Sequence, residues 1–474
     1  MSTLSRPEKW SYAIGNIPFA VKDAAFANFV VFYYTQVHGL SGTLAGLAMF
    51  VALSCDAISD PVVGSWSDSF RSRWGRRHPL LVMGGIPTAL LFLALFAPPS
   101  SFGEVGIFFW LLGVSVLLRT FLTIYFIPYI AMGAELSSDY DERTTIAKGR
   151  VTTAWIAGML LPAVAYAVFF QPEESVDGRL LAANYWDYGV MSALVAAVTV
   201  TVCIVGTRSV IPRLPVPITR DKFGWRTPVS DFMEAAANRN FRISLGANLA
   251  FGLSTGVYTT LALYLGTYFW ELSSDQLAGL VIPTAIATVM SFACLGRLGR
   301  KFDKPRLLAI ASIALALNAV WFIGARLLGF LPENGHALIY SLLWLNTFIG
   351  VTMIVSIQVL GASFAADILD EMEDANGQRK EGVVFAAQAF VLKATTGAGA
   401  LLAGVVIDVS GIQPQTAPGD VASDVLHSLG AFSVVVIGGL AFAAFLFNRR
   451  LRLGRDDHQA IRARLAASGA ATEC

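Results

Sequence analysis

Twelve apolar stretches constrain this chain more than any other feature, because each is long enough to cross a bilayer as a helix. About 20 helical residues span the roughly 30 Å of membrane hydrocarbon. The stretches are continuous rather than alternating, which excludes a transmembrane β-barrel. They lie near residues 10–37, 44–66, 80–96, 107–132, 151–170, 188–205, 243–270, 276–296, 307–328, 337–364, 383–409 and 429–447. The pattern predicts an all-α membrane protein of twelve transmembrane helices.

The composition supports a membrane solvent and excludes several other classes. Hydrophobic residues make up 55% of the chain and charged residues only 14%, whereas soluble domains are about 25% charged. A net charge of +1 provides no field for nucleic acid. The cysteines are scattered and predict neither disulfides nor a metal cage: Cys55, Cys203, Cys294 and Cys474. The partners expected are a small-molecule solute and the lipid bilayer, for a monomer without a removable signal peptide.

Positive charge in the loops predicts the orientation. RSRWGRRH after the second stretch, residues 208–242, GRLGRKFDKPR after the eighth and RRLRLGR after the twelfth share one side with both termini. The opposite loops, such as APPSSFGE and residues 411–424, carry almost no Lys or Arg, and Arg179 is the exception. Lys and Arg concentrate in cytoplasmic loops. Both termini are therefore predicted to be cytoplasmic, in a cell inner membrane.

The chain divides near its middle. The longest connection contains Pro212, Pro215, Pro217 and Pro228, as a linker between halves would. We therefore predict an N-terminal six-helix bundle with a cation site (1–206), a central cytoplasmic loop (207–240), and a C-terminal six-helix bundle with a cytoplasmic tail (241–474). GSWSDSFRSRWGRR and GRLGRKFD occupy matching positions in the halves and indicate a tandem duplication. Transporters built from such repeats bind solute near the bilayer midplane.

Ionisable residues inside the predicted spans are functional candidates, since each costs about 2.5–3.5 kcal/mol to insert. They are Lys22, Asp23, Asp56, Asp60, Arg119, Arg150 and Lys393. No metal or triad spacing among the five histidines supports a receptor or an enzyme instead.

Asp56 and Asp60 are four residues apart, so both carboxylates project from one helix face, with Ser59 beside them. They repel each other unless a positive group lies between them. A Na⁺ ion or a shared proton would neutralise the pair. The alternative is a salt bridge to Lys393 or Arg150 without a transported ion.

Lys393 and Arg119 have two possible roles each. Lys393 lies mid-span among small residues, where it either faces a cavity or snorkels to an interface. Asp23 favours a cavity role. Arg119 either holds an acidic solute or pairs with Asp23 or Asp56. In the basic loop, Asp68 and the arginines either set topology or form a latch between helix ends.

Three segments resemble a known family: YAIGNIPFAVKDAAFANFVVFYYTQVHGL, CDAISDPVVGSWSDSFRSRWGRRHP and RKEGVVFAAQAFVLKATTGAG. They are similar to helices one, two and eleven of the glycoside-pentoside-hexuronide:cation symporters, the melibiose permease-like branch of the major facilitator superfamily. The resemblance covers nearly the whole chain. It implies the major facilitator fold and symport of a sugar, glycoside or sugar acid with Na⁺ or H⁺, without any other cofactor.

The resemblance also implies roles for single residues. It places Asp56, Ser59, Asp60 and Thr123 on the cation site, Asp23 and Arg150 on the sugar site, and Lys393 between them. One position departs from the family. Phe126 stands where melibiose permease carries a second sugar-binding Asp, and Arg119 lies two turns earlier on nearly the same face. This change favours an acidic or amphipathic solute, and vertebrate lysolipid carriers resemble the chain distantly, so an amphipathic anion is the alternative solute.

Overall fold

The computed structural model describes residues 4–137, 139–174, 176–213, 232–377 and 381–472. Within these ranges, eleven helices of at least 18 residues are apolar enough to cross a membrane, and a broken helix precedes them. In chain order the twelve are α1 (Arg6–Ile14, Ile17–Asn28, Val30–Phe32 and Tyr33–Val37), α2 (Gly42–Ser69), α3 (His78–Leu95), α4 (Glu104–Glu135), α5 (Asp141–Phe169), α6 (Ala182–Gly206), α7 (Arg239–Phe269), α8 (Ser274–Lys301), α9 (Lys304–Leu327), α10 (Ala337–Asn376), α11 (Val384–Ser410) and α12 (Ser423–Asn448). The prediction of twelve helices is confirmed.

The first helix is interrupted twice, for local reasons. Ser5 and Glu8 form a capping box that starts α1. The first segment ends at Ile14, and Pro18 sits in the opening turn of the next segment, where its missing N–H costs little. α1 and α7 both end in a five-residue π-helical turn, Tyr33–Val37 and Leu265–Phe269. α5 ends in a turn of the same kind, Ala165–Phe169, so this ending is not confined to α1 and α7.

Several helices extend beyond the apolar stretches that predicted them. α5 begins at Asp141 instead of 151, and α10 continues to Asn376 instead of 364. The additional turns are polar, and hydropathy alone does not mark them as helix. As a result, Arg150 lies inside α5 rather than at its start.

By their internal contacts, the residues group into two compact units. The first comprises Met1–Lys222, Thr259–Val281 and Ala400–Ala422, and the second comprises Phe223–Tyr258, Ile282–Gly399 and Ser423–Cys474. The ends of α7 and α11 and the start of α8 thus belong to the first unit together with α1–α6. Within the predicted central loop, residues 214–231, which include Pro215, Pro217 and Pro228, lie outside the described residues.

Each unit carries a buried charge cluster where its third and fourth repeat helices meet. In the first unit, Arg77 donates to Ser67 Oγ (2.5 Å), Asp68 Oδ1 (3.0 Å) and Glu135 Oε1 (2.6 Å). Arg76 also binds Glu135. The predicted latch residue Asp68 is therefore joined to Arg77, and through it to the end of α4.

The second unit repeats this arrangement with different residues. Lys304, at the start of α9, lies 2.7 Å from the carboxylate of Asp367 in α10. A terminal helix, α13 (Arg455–Thr472), adds to it, because His458 Nε2 lies 2.9 Å from Asp370 Oδ2. A cation near the start of the third helix thus pairs with an acid on the fourth helix in both repeats.

Candidate functional site

The predicted cation residues meet on facing sides of α2 and α4 in the first unit. Asp56 and Asp60 lie one turn apart on α2, and Thr123 lies on α4. Thr123 Oγ1 is 3.0 Å from Asp56 Oδ1 and 3.2 Å from Asp60 Oδ1. Asp56 and Thr123 are buried, whereas Asp60 is half-buried. The structure therefore brings the two carboxylates together around one hydroxyl group.

The proton count at this hydroxyl bears on what the cluster can hold. A threonine hydroxyl carries one hydrogen and can donate it to one acceptor at a time. If both carboxylates were ionised, only one of the two contacts between Thr123 Oγ1 and a carboxylate oxygen could contain a hydrogen atom. The other contact would join two oxygen atoms that both lack a hydrogen to donate. A proton on one carboxyl group, or a small cation among the oxygens, removes that conflict. The geometry is thus compatible with both of the ions considered for coupling.

Arg119 lies at the edge of this cluster. Its side chain is buried, and its Nη1 lies 3.4 Å from Asp56 Oδ2. The guanidinium also stacks 4.6 Å from the centre of the Phe26 ring, as cation–π contacts do. The sequence offered Asp23 and Asp56 as partners for Arg119, and the structure shows a direct contact between Arg119 and Asp56. The two carboxylates and one guanidinium carry a combined formal charge of −1, which suits one monovalent cation.

Lys22 and Asp23 form a separate pair on α1. Lys22 Nζ lies 2.5 Å from Asp23 Oδ1, and its side chain is buried while that of Asp23 is 57% exposed. Lys22 also sits 4.0 Å above the Phe19 ring. The carboxylate of Asp23 is therefore accessible for a polar ligand even though its neighbour holds it.

Phe126 continues the α4 face that carries Arg119 and Thr123, since the three are four and three residues apart. Its ring stacks on Phe19 of α1 with centroids 4.2 Å apart and planes 15° from parallel. The ring centroid of Tyr129, three residues further along α4, lies 6.1 Å from that of Phe126. The position thus presents an aromatic surface beside the Lys22–Asp23 pair.

The remaining predicted residues are placed as follows. Ser59 Oγ donates to the backbone carbonyl of Asp56 (3.1 Å), a bond within α2. Arg150 is half-buried in α5, and its carbonyl accepts from Asn16 Nδ2 (3.0 Å). Lys393 is half-buried in α11, in the second unit.

Arg179, the exception to the charge rule for loops, is explained by its surroundings. It is 2% exposed. It forms an ion pair with Asp177 and donates to Thr267 Oγ1 (3.0 Å) near the end of α7. Its carbonyl accepts from Tyr185 Oη (2.8 Å). Because its charge is neutralised locally, it carries little topological information.

A carboxylate that the sequence did not single out caps α2 from another helix. Asp408, near the end of α11, accepts from Ser41 Oγ (2.7 Å), Gly42 N (2.6 Å) and Thr43 N (2.8 Å). Helix N-termini attract negative charge and leave their first N–H groups without helical partners. Nothing in the local sequence marks this residue, because its partners are more than 360 positions away.

Below this cap the two helices touch backbone to backbone. A Cβ atom at Gly404 would lie 2.0 Å from the carbonyl oxygen of Gly42, and one at Gly46 would lie 2.6 Å from that of Ala400. Only glycine permits such an approach. All of these residues belong to the first unit.

Comparison with known proteins identifies the family. Residues 11–455 match the family described as MFS/sugar transport protein. The chain belongs to this family. It is therefore a multi-pass membrane transporter of the major facilitator superfamily, as the resemblance implied.

Individual relatives of this MFS/sugar transport protein are symporters and sugar transporters. An inner membrane symporter of Escherichia coli strain K12, YicJ, is 25% identical over 424 residues, which cover 86% of this chain and 84% of the relative. The isoprimeverose transporter of Lactiplantibacillus pentosus is 21% identical over 93% of this chain and 88% of its own. The crystal structure of a D-xylose-proton symporter superimposes with a TM-score of 0.62 at 15% identity, covering 94% of this chain and 97% of that one. This likeness confirms the major facilitator fold.

Proposed function

We propose that this chain is a secondary active transporter that moves a sugar, glycoside or sugar acid together with Na⁺ or H⁺ by alternating access. The observation that carries the proposal is the contact of Thr123 with both Asp56 and Asp60. Two carboxylates and a hydroxyl that lie this close together support a site for one ion. The sugar and symporter names of the relatives support the same solute class.

The proposed cation site consists of Asp56, Asp60 and Thr123, with Ser59 on the adjoining turn. Na⁺ is a hard cation that oxygen ligands bind, as they do other hard cations, and a proton would be shared between the carboxyl groups. Arg119 competes with the cation for Asp56, because the Arg119 guanidinium already lies 3.4 Å from that carboxylate. Cation binding then requires Arg119 to weaken this contact, which would link ion occupancy to a neighbouring solute.

The proposed solute-binding residues in the first unit are Asp23, Arg119, Phe126 and Arg150, and the family resemblance implies the same role for Lys393. Asp23 offers an exposed carboxylate for hydroxyl groups, and the half-buried ring of Phe126, which is stacked on Phe19, offers an apolar contact. Arg119 and Arg150 can bind a carboxylate or sulfonate of an acidic sugar. We propose that Lys393 has the coupling role that the resemblance implies.

We further propose a cell inner membrane location with both termini cytoplasmic, a monomer, no enzymatic activity, and the 1–206, 207–240 and 241–474 organisation of the halves. The inner membrane name of one relative supports the location. An amphipathic lipid-like anion is the alternative solute. The stacked rings of Phe126 and Phe19 next to basic side chains favour it.

Uptake by purified protein in vesicles tests this function directly. Neutral glycosides, uronates and lysolipids are offered with an inward Na⁺ gradient, an inward H⁺ gradient or neither. We expect accumulation of a sugar or sugar acid under one gradient only. Accumulation of the lysolipid alone would establish the alternative solute, and equilibration without dependence on either gradient would contradict symport.

Arg119 and Phe126 are expected to set solute preference. Arg119→Gln should weaken binding of an acidic solute about tenfold or more, because a hydrogen bond to a charged group contributes roughly 1.5–3 kcal/mol, and should change binding of a neutral glycoside much less. Phe126→Asp should strengthen binding of the neutral glycoside, since a carboxylate accepts hydrogen bonds from sugar hydroxyl groups. Calorimetric binding of one neutral and one acidic sugar measures both effects.

Phe126→Leu is the matched control, because it removes the ring without adding a carboxylate and should not improve the glycoside. Equal losses for both sugars in Arg119→Gln would mean that Arg119 only serves Asp56. That result would remove the basis for an acidic solute.

A further inference from the structure

Four arginines that the proposed function does not use line a pocket beside the end of α12. Arg239, Arg449, Arg450 and Arg452, together with Leu446, enclose about 330 Å³. All five residues belong to the second unit. In the part of the chain that the structure describes, none of the four guanidinium groups forms an ion pair with a carboxylate. The pocket therefore concentrates positive charge without an internal counter-ion from the described residues.

Hydrogen bonds that involve side chains of α7 hold the two walls of the pocket together. Arg239 Nη2 donates to the carbonyl of Arg450 (3.0 Å), which joins the start of α7 to the segment after α12. The backbone N–H of Arg452 donates to Asn240 Oδ1 (3.3 Å). Asn240 Nδ2 in turn donates to the carboxylate of Glu371 (3.0 Å), so the amide stands between that carboxylate and the backbone of Arg452. Two distant segments thus build one concave site.

The pocket lies where a membrane surface would be. Arg449 directly follows the apolar span that ends at Asn448. Phe442 and Leu446 are exposed on this span and, being four residues apart in its regular α-helical part (Gly439–Asn448), share one face that ends at the pocket. An apolar stripe therefore runs along the helix toward four positive charges.

We propose that this pocket binds the phosphodiester headgroup of an anionic phospholipid, with an acyl chain along the exposed face of α12. Guanidinium groups bind phosphate oxygens in bidentate geometry, and basic pockets on the cytoplasmic side of membrane proteins bind anionic lipid headgroups. The positive-inside rule accounts for arginines in this loop. It does not account for their convergence with Arg239 from another helix, or for the apolar stripe leading to them.

Lipid binding to the purified full-length protein tests the proposal. Native mass spectrometry measures the affinity of phosphatidylglycerol and of phosphatidylcholine with identical acyl chains. We expect the wild type to prefer phosphatidylglycerol, and Arg449→Gln/Arg452→Gln to lose roughly tenfold or more of that affinity, because each arginine near an anionic surface contributes about 1 kcal/mol. Arg239 is left intact in this variant because it also holds the backbone of Arg450.

Arg71→Gln/Arg297→Gln is the matched control, since it removes two exposed charges from the same predicted side. It should keep the wild-type affinity for phosphatidylglycerol. Equal losses in both double variants would show a general surface attraction and overturn the site, as would equal affinity of the wild type for the two lipids. Displacement of phosphatidylglycerol by millimolar inorganic phosphate would assign the pocket to a free phosphate-bearing anion and overturn the lipid.

Discussion

Replacing Asp60 with Asn is expected to abolish cation-driven uptake, and Asp56→Asn should do the same. The two carboxylates share Thr123, with oxygen distances of 3.0 and 3.2 Å. Loss of either charge leaves one carboxylate and the Arg119 guanidinium, so the cluster has no net negative charge to attract a cation. The measurement is solute uptake into vesicles with and without an imposed Na⁺ or H⁺ gradient.

Of the two variants, Asp60→Asn is the cleaner test. Asp56→Asn also removes the carboxylate that Arg119 contacts, and an uncompensated buried charge destabilises a protein by about 3–5 kcal/mol. Asp187→Asn serves as the control, because Asp187 is an exposed acid in α6 and is not part of the proposed cation site. It should retain gradient stimulation. Normal stimulation in both site variants would move the cation site elsewhere.

Substituting Gly404 with Leu is expected to stop transport while leaving a folded, inserted protein. A Cβ atom at this position would lie 2.0 Å from the carbonyl oxygen of Gly42, so any side chain forces α2 and α11 apart. That separation also pulls Asp408 away from the N-terminus of α2, where its carboxylate accepts from two backbone N–H groups and two hydroxyl groups. We expect transport to need this close approach, because it fixes the ends of α2 and α11 together. The uptake rate is expected to fall at least tenfold.

Gly113→Leu is the matched control for this substitution. Gly113 lies within α4, is exposed, and has no heavy atom within 4 Å of its added Cβ. Its uptake should stay near wild type, since a lipid-facing Leu costs nothing in the membrane. Comparable uptake by the Gly404→Leu variant would show that the close approach of α2 and α11 is not needed for transport.

Local chemistry explains which features the sequence could predict. The length of the apolar stretches predicts the helices, because a chain that crosses the bilayer must satisfy all of its backbone hydrogen bonds within the span. The spacing of Asp56 and Asp60 places them on one face whatever surrounds α2. The polar extensions of α5 and α10 were missed, since they lie outside hydrocarbon and hydropathy does not detect them.

Contacts between distant residues explain what the sequence left open. Thr123 was assigned to the cation site only through the family resemblance. Arg119 had three possible partners, and tertiary packing selects its contact with Asp56. The cap formed by Asp408 and the stacking of Phe19 on Phe126 join separate helices. No periodicity in one helix contains that information.

Linkage between cation and solute binding tests the central claim most directly. Solute affinity is measured by calorimetry at increasing Na⁺ concentration and at several pH values, for the wild type and for Asp60→Asn. The account predicts that one cation raises solute affinity in the wild type, that solute raises cation affinity by the same factor, and that solute binding to Asp60→Asn no longer depends on the cation. Wild-type cation dependence in Asp60→Asn and in Asp56→Asn would contradict it.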